Sequence, residues 1–244
     1  GDDTGPVDKA RIRGLADTVT TIERRGFSSC AGDTAQARLA DVDYLGGLDT
    51  LSRFHEDLRD LRRGIHLPAF LADPDRCETL ADLSGRLRRV IEIEARELAD
   101  RMGGLAPEDV ETMAEAIDRL RDAAWCIDHE ILENLDKIRH LMGDGDLPDP
   151  PAAPRTLAAY RDLNAVFNAL DRLEVRGRDS AGVSLLFVLD RADFESFQKA
   201  TAEAGEWLDD RIGRTVQLNR DISVHDTADG DGVAVALTYK VAAE

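Results

Sequence analysis

Five histidines, three cysteines and one charged, glycine-bearing turn are the places where this sequence could do chemistry. The turn is Arg176-Gly177-Arg178-Asp179-Ser180-Ala181-Gly182. It follows the amphipathic pattern Leu157, Tyr160, Leu163, Phe167, Leu170 and Leu173, and it precedes the apolar run Val183–Leu189. That order predicts a helix, a sharp turn at Gly177 and a buried strand. Such a unit sets polar groups at a sheet edge, and glycine supplies the backbone freedom the turn needs.

The remaining candidates are weaker. A zinc protease would need His-Glu-x-x-His, and His55-Glu56 has no second histidine at that spacing. Asp128-His129-Glu130 and the pair Asp136/His140 are metal-capable, yet residues four apart on an acidic helix are ordinary surface neighbours. The acidic segment Asp226–Asp231 lacks the ligand order of an EF-hand and predicts a turn. No glycine-rich phosphate loop follows a strand. Cys30 falls in the polar stretch Ser28–Asp33, expected to be a loop, with no assignable base, so an ordinary thiol is expected. No metal and no cofactor is implied.

The elements that must position the turn are mostly helices. Ile12, Leu15, Val19 and Ile22 step by three and four, and Gly26 ends that pattern. Leu39 to Ile65 repeats the pattern but contains Gly46-Gly47, where a kink or break is expected. Asp73 and Pro74 predict a capped helix start, with a stripe of Cys77, Leu80, Leu83 or Ser84, Leu87, Ile91, Ala95 and Leu98. Gly103-Gly104 stops that helix. After Pro107 the strongest periodicity in the chain runs from Val110 through Ile117, Leu120, Ile127, Ile131 and Leu135 to Met142. At 1.5 Å per residue it spans roughly 50 Å, and the helix after Pro74 is its natural antiparallel partner. The 110–142 seam is compatible with a homodimer and equally with packing inside one chain.

Residues 144–154 hold half of the eight prolines and mark the clearest boundary. The expected organisation is a helical bundle over 1–146, a Pro-rich linker over 147–155 and an α+β region over 156–244. In the last region, Ile222/Val224 and Val233/Val235/Leu237/Tyr239 alternate around Asp229-Gly230-Asp231-Gly232, a hairpin signal. Three short strands make a thin sheet with exposed edges.

The formal net charge of −18 repels phosphate backbones and anionic lipid, so neither nucleic acid nor a membrane is an expected partner. The pairs Arg24-Arg25, Arg62-Arg63 and Arg88-Arg89 are interleaved with acids and read as solvated faces. No run of 18 apolar residues is present, the first residues carry no signal-peptide pattern, and the cysteines have no metal-like spacing. A reduced, cytoplasmic protein is the expectation.

The segment Arg172-Leu-Glu-Val-Arg-Gly-Arg-Asp-Ser-Ala-Gly182 resembles the Leu-Glu-Tyr-Arg-Gly-Tyr-Asp-Ser-Ala-Gly segment of glutamine–fructose-6-phosphate aminotransferase (glucosamine-6-phosphate synthase). More broadly it is similar to the Arg-Gly-x-Asp turn of class II, N-terminal-nucleophile (Ntn) glutamine amidotransferases. The resemblance covers Leu157 to Leu189 and keeps the family's order of helix, turn and strand. It implies part of an Ntn-type αββα layer, glutamine and a sugar phosphate as substrates of the parent protein, and an N-terminal cysteine that attacks the glutamine amide with its own α-amine as base. Arg176 and Gly177 would lie close to that nucleophile, and Asp179 and Ser180 would brace the turn.

The sequence departs from the family in three ways. Residue 1 is Gly1, the Thr-Arg-Trp-Ala-Thr-His-Gly glutamine-binding segment is absent, and about 150 largely helical residues precede the turn. The expectation is therefore an internal piece of a larger synthase-like protein, with its nucleophile strand upstream of Gly1, a helical insertion and further domains of the parent. It would be inactive alone. A non-catalytic acidic helical scaffold or oligomerisation module is the alternative. A separate hydrolase using Cys30 or His225 is the third reading.

Overall fold

The computed structural model describes residues 9–30, 38–143, 153–174, 180–203, 221–228 and 230–242. They form an α+β chain with two compact units, Gly1–Ala165 and Val166–Glu244. The expected linker lies largely outside the described residues, and its last three positions belong to the helix that begins at Ala153.

The first unit is helical. Helix α1 (Lys9–Arg24) buries Ile12, Leu15, Val19 and Ile22, the stripe its spacing predicts, and a one-turn helix α2 (Phe27–Cys30) follows. The Leu39–Ile65 stretch breaks where the glycine pair stands, with Gly46 and Gly47 at φ 90° and 84°. Two short 3-10 turns, Leu39–Val42 and Tyr44–Gly46, precede α3 (Leu48–Leu61). A further 3-10 turn, Gly64–His66, leads into α4 (Leu67–Ala72).

Helix α5 (Pro74–Arg101) and helix α6 (Pro107–Trp125) each place proline in the first turn, where its missing N–H costs nothing. They pack along each other as the expected hairpin, with α1 against α5 and α3 against α6. Asp73 occupies the N-cap position of α5 but does not cap it. Its carboxylate instead pairs with Arg76 Nε at 3.2 Å and Lys9 Nζ at 3.8 Å.

The expected regular helix over 110–142 is interrupted. Helix α6 passes into a π-helical segment, Cys126–Leu132, before α7 (Glu133–Met142). Ala123, Ile127, Ile131 and Leu135 are all buried and step by four three times over. In an α-helix of 3.6 residues per turn that spacing would carry the stripe progressively off the core. Wider π turns bring it back. Trp125, the last residue of α6, is 48% exposed.

Helix α8 (Ala153–Glu174) belongs to the first unit through its N-terminal half. Leu157 joins the helical core, and Asn164 Nδ2 donates to Asn134 Oδ1 at 2.7 Å. No described helix is long and apolar enough to cross a membrane.

The second unit contains β1 (Ser180–Asp190), α9 (Arg191–Glu203), β2 (Asp221–Asp226) and β3 (Gly232–Ala242). The three strands form one antiparallel sheet in the order β1-β3-β2. The hairpin lies where the Asp-Gly signal placed it. Gly230 takes φ 76°, the Gly230 N–H donates to the Thr227 carbonyl, and the Thr227 N–H donates to that of Gly232, both at 2.9 Å.

Candidate functional site

Helix α8 ends at Glu174 and β1 begins at Ser180, so a helix precedes and a strand follows the charged segment, as expected. Arg176, Gly177 and Asp179 lie outside the described residues. Ser180 opens β1 opposite Ala242, and Gly182 pairs with Lys240.

The two faces of the sheet differ. Leu185, Phe187 and Leu189 share one face with Leu237, Val235 and Val233 of β3 and with Val224 of β2. Helix α9 covers this face, bringing Phe194 and Phe197 against the buried Val233 and Val235. On the other face Ser184, Leu186 and Val188 stand beside Thr238, Ala236 and Ala234, with His225 on the neighbouring strand. Leu186 and Val188 are 68% and 67% exposed. Burying such a side chain stabilises by about 1.5–3 kcal/mol.

The other chemistry-bearing residues do not gather into a site. Cys30 sits in α2, not in a loop, and is buried, with its Sγ 3.6 Å from the Arg25 carbonyl. That burial argues against a nucleophilic Cys30. Burial pushes the Cys126 thiol up to about 12, helped by Glu130 beside it, so it too is a poor nucleophile. His129 Nδ1 lies 2.8 Å from Glu133, which also pairs with Lys137 at 2.9 Å. The His129 hydrogen bond is the main cause that lowers the Glu133 carboxyl. Among the described residues no three His, Cys, Asp or Glu side chains form a metal-holding group.

Three clusters emerge that periodicity alone does not indicate. In the first, Glu94 of α5 is only 3% exposed. Its carboxylate accepts the Tyr44 hydroxyl at 2.7 Å and the Phe27 N–H at 3.0 and 3.1 Å. Burial raises Glu94 despite these hydrogen bonds, and burial followed by the Glu94 charge raises the Tyr44 phenol. The signal in the sequence was a charge on the core stripe. That stripe runs Leu80, Leu83, Leu87, Val90, Glu94, whereas the expected Ile91, Ala95 and Leu98 are only half-buried.

Gly26 makes room for this carboxylate, since a Cβ there would lie 2.4 Å from Glu94 Oε1. Three hydrogen bonds pin that oxygen pair, so it cannot swing away cheaply. Gly26→Ala is expected to cost about 1–3 kcal/mol by chemical denaturation, the range for overpacking a filled interior. A variant as stable as the wild type would show that the carboxylate relaxes freely.

In the second cluster Asp60 accepts from Arg11 at 2.6 Å, Arg63 at 3.0 Å and the buried His66 at 3.1 Å. The third is a concave pocket of about 520 Å³ lined by Arg62, Arg63, Gly64, Ile65 and Arg161. The arginine pairs Arg24-Arg25, Arg62-Arg63 and Arg88-Arg89 are all exposed, as expected. The chain matches no protein-family profile, no curated protein and no solved structure.

Proposed function

We propose that this chain is part of a class II glutamine amidotransferase resembling glucosamine-6-phosphate synthase, inactive without the rest of its parent. The observation that carries the reading is the second unit's sheet. It is preceded by a helix and the Arg176-Gly177-Arg178-Asp179 connection, covered by helix α9 on one face, and exposes Leu186 and Val188 on the other. A four-layer αββα arrangement needs such a sheet, helix-backed outside and packed on a second sheet inside.

In the proposed reaction a thiolate at the parent's N-terminal cysteine adds to the side-chain amide carbon of glutamine. The cysteine α-amine takes the thiol proton and delivers it to the departing nitrogen, which leaves as ammonia. Water then hydrolyses the thioester to glutamate and regenerates the thiol. The ammonia passes to a sugar phosphate bound by another domain. Arg176 and the Gly177 backbone supply positive charge and an N–H near the developing oxyanion. Asp179 and Ser180 hold the turn. The helical unit is an insertion with its own complete core.

Glutamate release by the full-length parent tests the reading. Arg176→Ala is expected to lower it at least about tenfold, a loss of about 1.4 kcal/mol in transition-state stabilisation. Leu186→Glu is expected to abolish it while leaving the melting of the isolated 244-residue chain unchanged, because Leu186 is uncovered there. A parent without an N-terminal cysteine, or with full activity after Leu186→Glu, would favour the acidic scaffold instead.

A further inference from the structure

We infer that the arginine-lined pocket of the helical unit binds a small phosphate monoester. The inference does not depend on the amidotransferase reading. Arg62 and Arg63 follow helix α3, Gly64 and Ile65 open the next 3-10 turn, and Arg161 lines the pocket from α8. Arg161 lies on the same helix face as Leu157 and Asn164, at spacings of four and three. The first is in the core and the second is bonded to Asn134, so the backbone beneath Arg161 is fixed on both sides.

Gly64 is the seat of that guanidinium. A Cβ on Gly64 would lie 2.2 Å from Arg161 Nη1 and 3.3 Å from its Cδ and Cζ. The glycine therefore lets Arg161 lie flat against the turn that carries the other two arginines.

Three carboxylates hold the arginines from outside the pocket, and none lines it. Asp162 takes Arg161 through Nε and Nη2, Asp60 takes Nη1 of Arg63, and Glu130 takes Nη1 of Arg62, whose Nε bonds the Arg59 carbonyl. Among the described residues this leaves Nη1 of Arg161, Nε and Nη2 of Arg63 and Nη2 of Arg62 unspent. N–H donors on three planar, permanently charged groups that line one pocket suit a tetrahedral dianion. The pocket exceeds what phosphate alone would fill, and the 41%-exposed Ile65 offers an apolar flank for a small organic body. Because the carboxylates offset the arginine charge and the chain is strongly acidic overall, attraction is local and falls with salt.

Titration calorimetry of the 244-residue chain with glycerol 3-phosphate, with glycerol as the uncharged control, tests this. The expected result is saturable one-to-one binding of the phosphate ester and none of glycerol. Arg161→Gln should weaken binding about tenfold. Gly64→Ala should do likewise without removing any charge, by displacing the guanidinium. Arg121→Gln, an exposed arginine paired with Asp118 outside the pocket, should have no effect. Circular dichroism melting of each variant confirms that the fold is intact. Absence of saturation, equal loss in Arg121→Gln, or full binding by a folded Gly64→Ala would overturn the proposal. Binding to phosphatidate vesicles without binding to glycerol 3-phosphate would also overturn it, by assigning the arginines to a lipid headgroup.

Discussion

Replacing Glu94 by alanine is expected to destabilise the helical unit by about 2–4 kcal/mol. The change strands two buried donors, the Tyr44 hydroxyl and the Phe27 N–H, and each unsatisfied group costs about 1–3 kcal/mol. It also leaves a void between α5, α2 and the Tyr44 turn. Partly offsetting this, the wild-type protein already bears the cost of burying a carboxylate, which is why Glu94 is raised. Glu94→Gln keeps the shape and one acceptor and should cost less. Tyr44→Phe should be markedly less harmful in the Glu94→Ala background than in the wild type, because the partner is already gone. The sign with pH is fixed by the raised carboxyl. The folded state holds the proton more tightly than the unfolded chain, so this group's contribution is full below the ordinary carboxylate value. It is lost as pH rises through the folded one. Glu94→Gln should remove that slope. Denaturant midpoints followed by far-UV circular dichroism check all of this, and a Glu94→Ala protein of wild-type stability would mean the carboxylate contributes nothing net.

What the sequence reveals and what it hides follow from the range of the interactions involved. Pro74 and Pro107 announce helix starts because the missing N–H and preset φ act within one residue. Gly46-Gly47 announces a break for the same local reason, and both glycines take positive φ. The two non-glycine residues beside them, Asp43 and Leu45, also take φ of 51°, a conformation that aspartate tolerates better than most residues and that nothing in the chemistry of leucine favours. Leu45 is held there by packing: it and Tyr44 are buried, and the Leu45 N–H donates to the Arg25 carbonyl at 2.8 Å. The π segment was hidden because four-residue spacings are equally legal in an α-helix, and only their accumulation over Ala123 to Leu135 demands wider turns.

The sheet was partly legible. Val183–Leu189 and the alternating tail are recognisable strands, but nothing local specifies that β3 lies between β1 and β2. The Arg-Gly-x-Asp turn was conspicuous because it is contiguous. The Glu94, Asp60 and Arg161 clusters were not, because their members come from different helices. Glu94 and Tyr44 are 50 residues apart, and Arg11 and Asp60 are 49 apart. A charge on a core stripe tells a reader that a partner must exist and leaves open which one.

Asp60 provides the sharpest pH test. Burial pushes its carboxyl up, but hydrogen bonds from Arg63, Arg11 and His66 outweigh this and hold it at about 2, against an ordinary value of 3.8. A carboxyl lowered in the folded state contributes stability that is present above its unfolded value and is lost as pH falls through the folded one. The window is therefore pH 3.8 down to about 2. Asp60→Asn is expected to lose about 2 kcal/mol at neutral pH, allowing for solvent around a side chain 29% exposed. The gap from wild type should then close as pH drops through that window.

His66 adds a second step. Burial lowers it and Asp60 raises it, and burial prevails, so the folded imidazole is neutral at neutral pH and its contact with Asp60 is a hydrogen bond rather than an ion pair. Its contribution has the same sign, present above 6.5 and lost as pH falls. Removing the Asp60 charge takes away the influence that favours imidazolium. The folded His66 of Asp60→Asn should therefore titrate still lower, and the loss of stability below its ordinary value should deepen. Denaturant midpoints across the acid range, with the His66 ring proton followed by NMR, separate the two steps. A wild-type-to-variant gap that stays constant from neutral to strongly acidic pH would show that Asp60 is not held by its three partners.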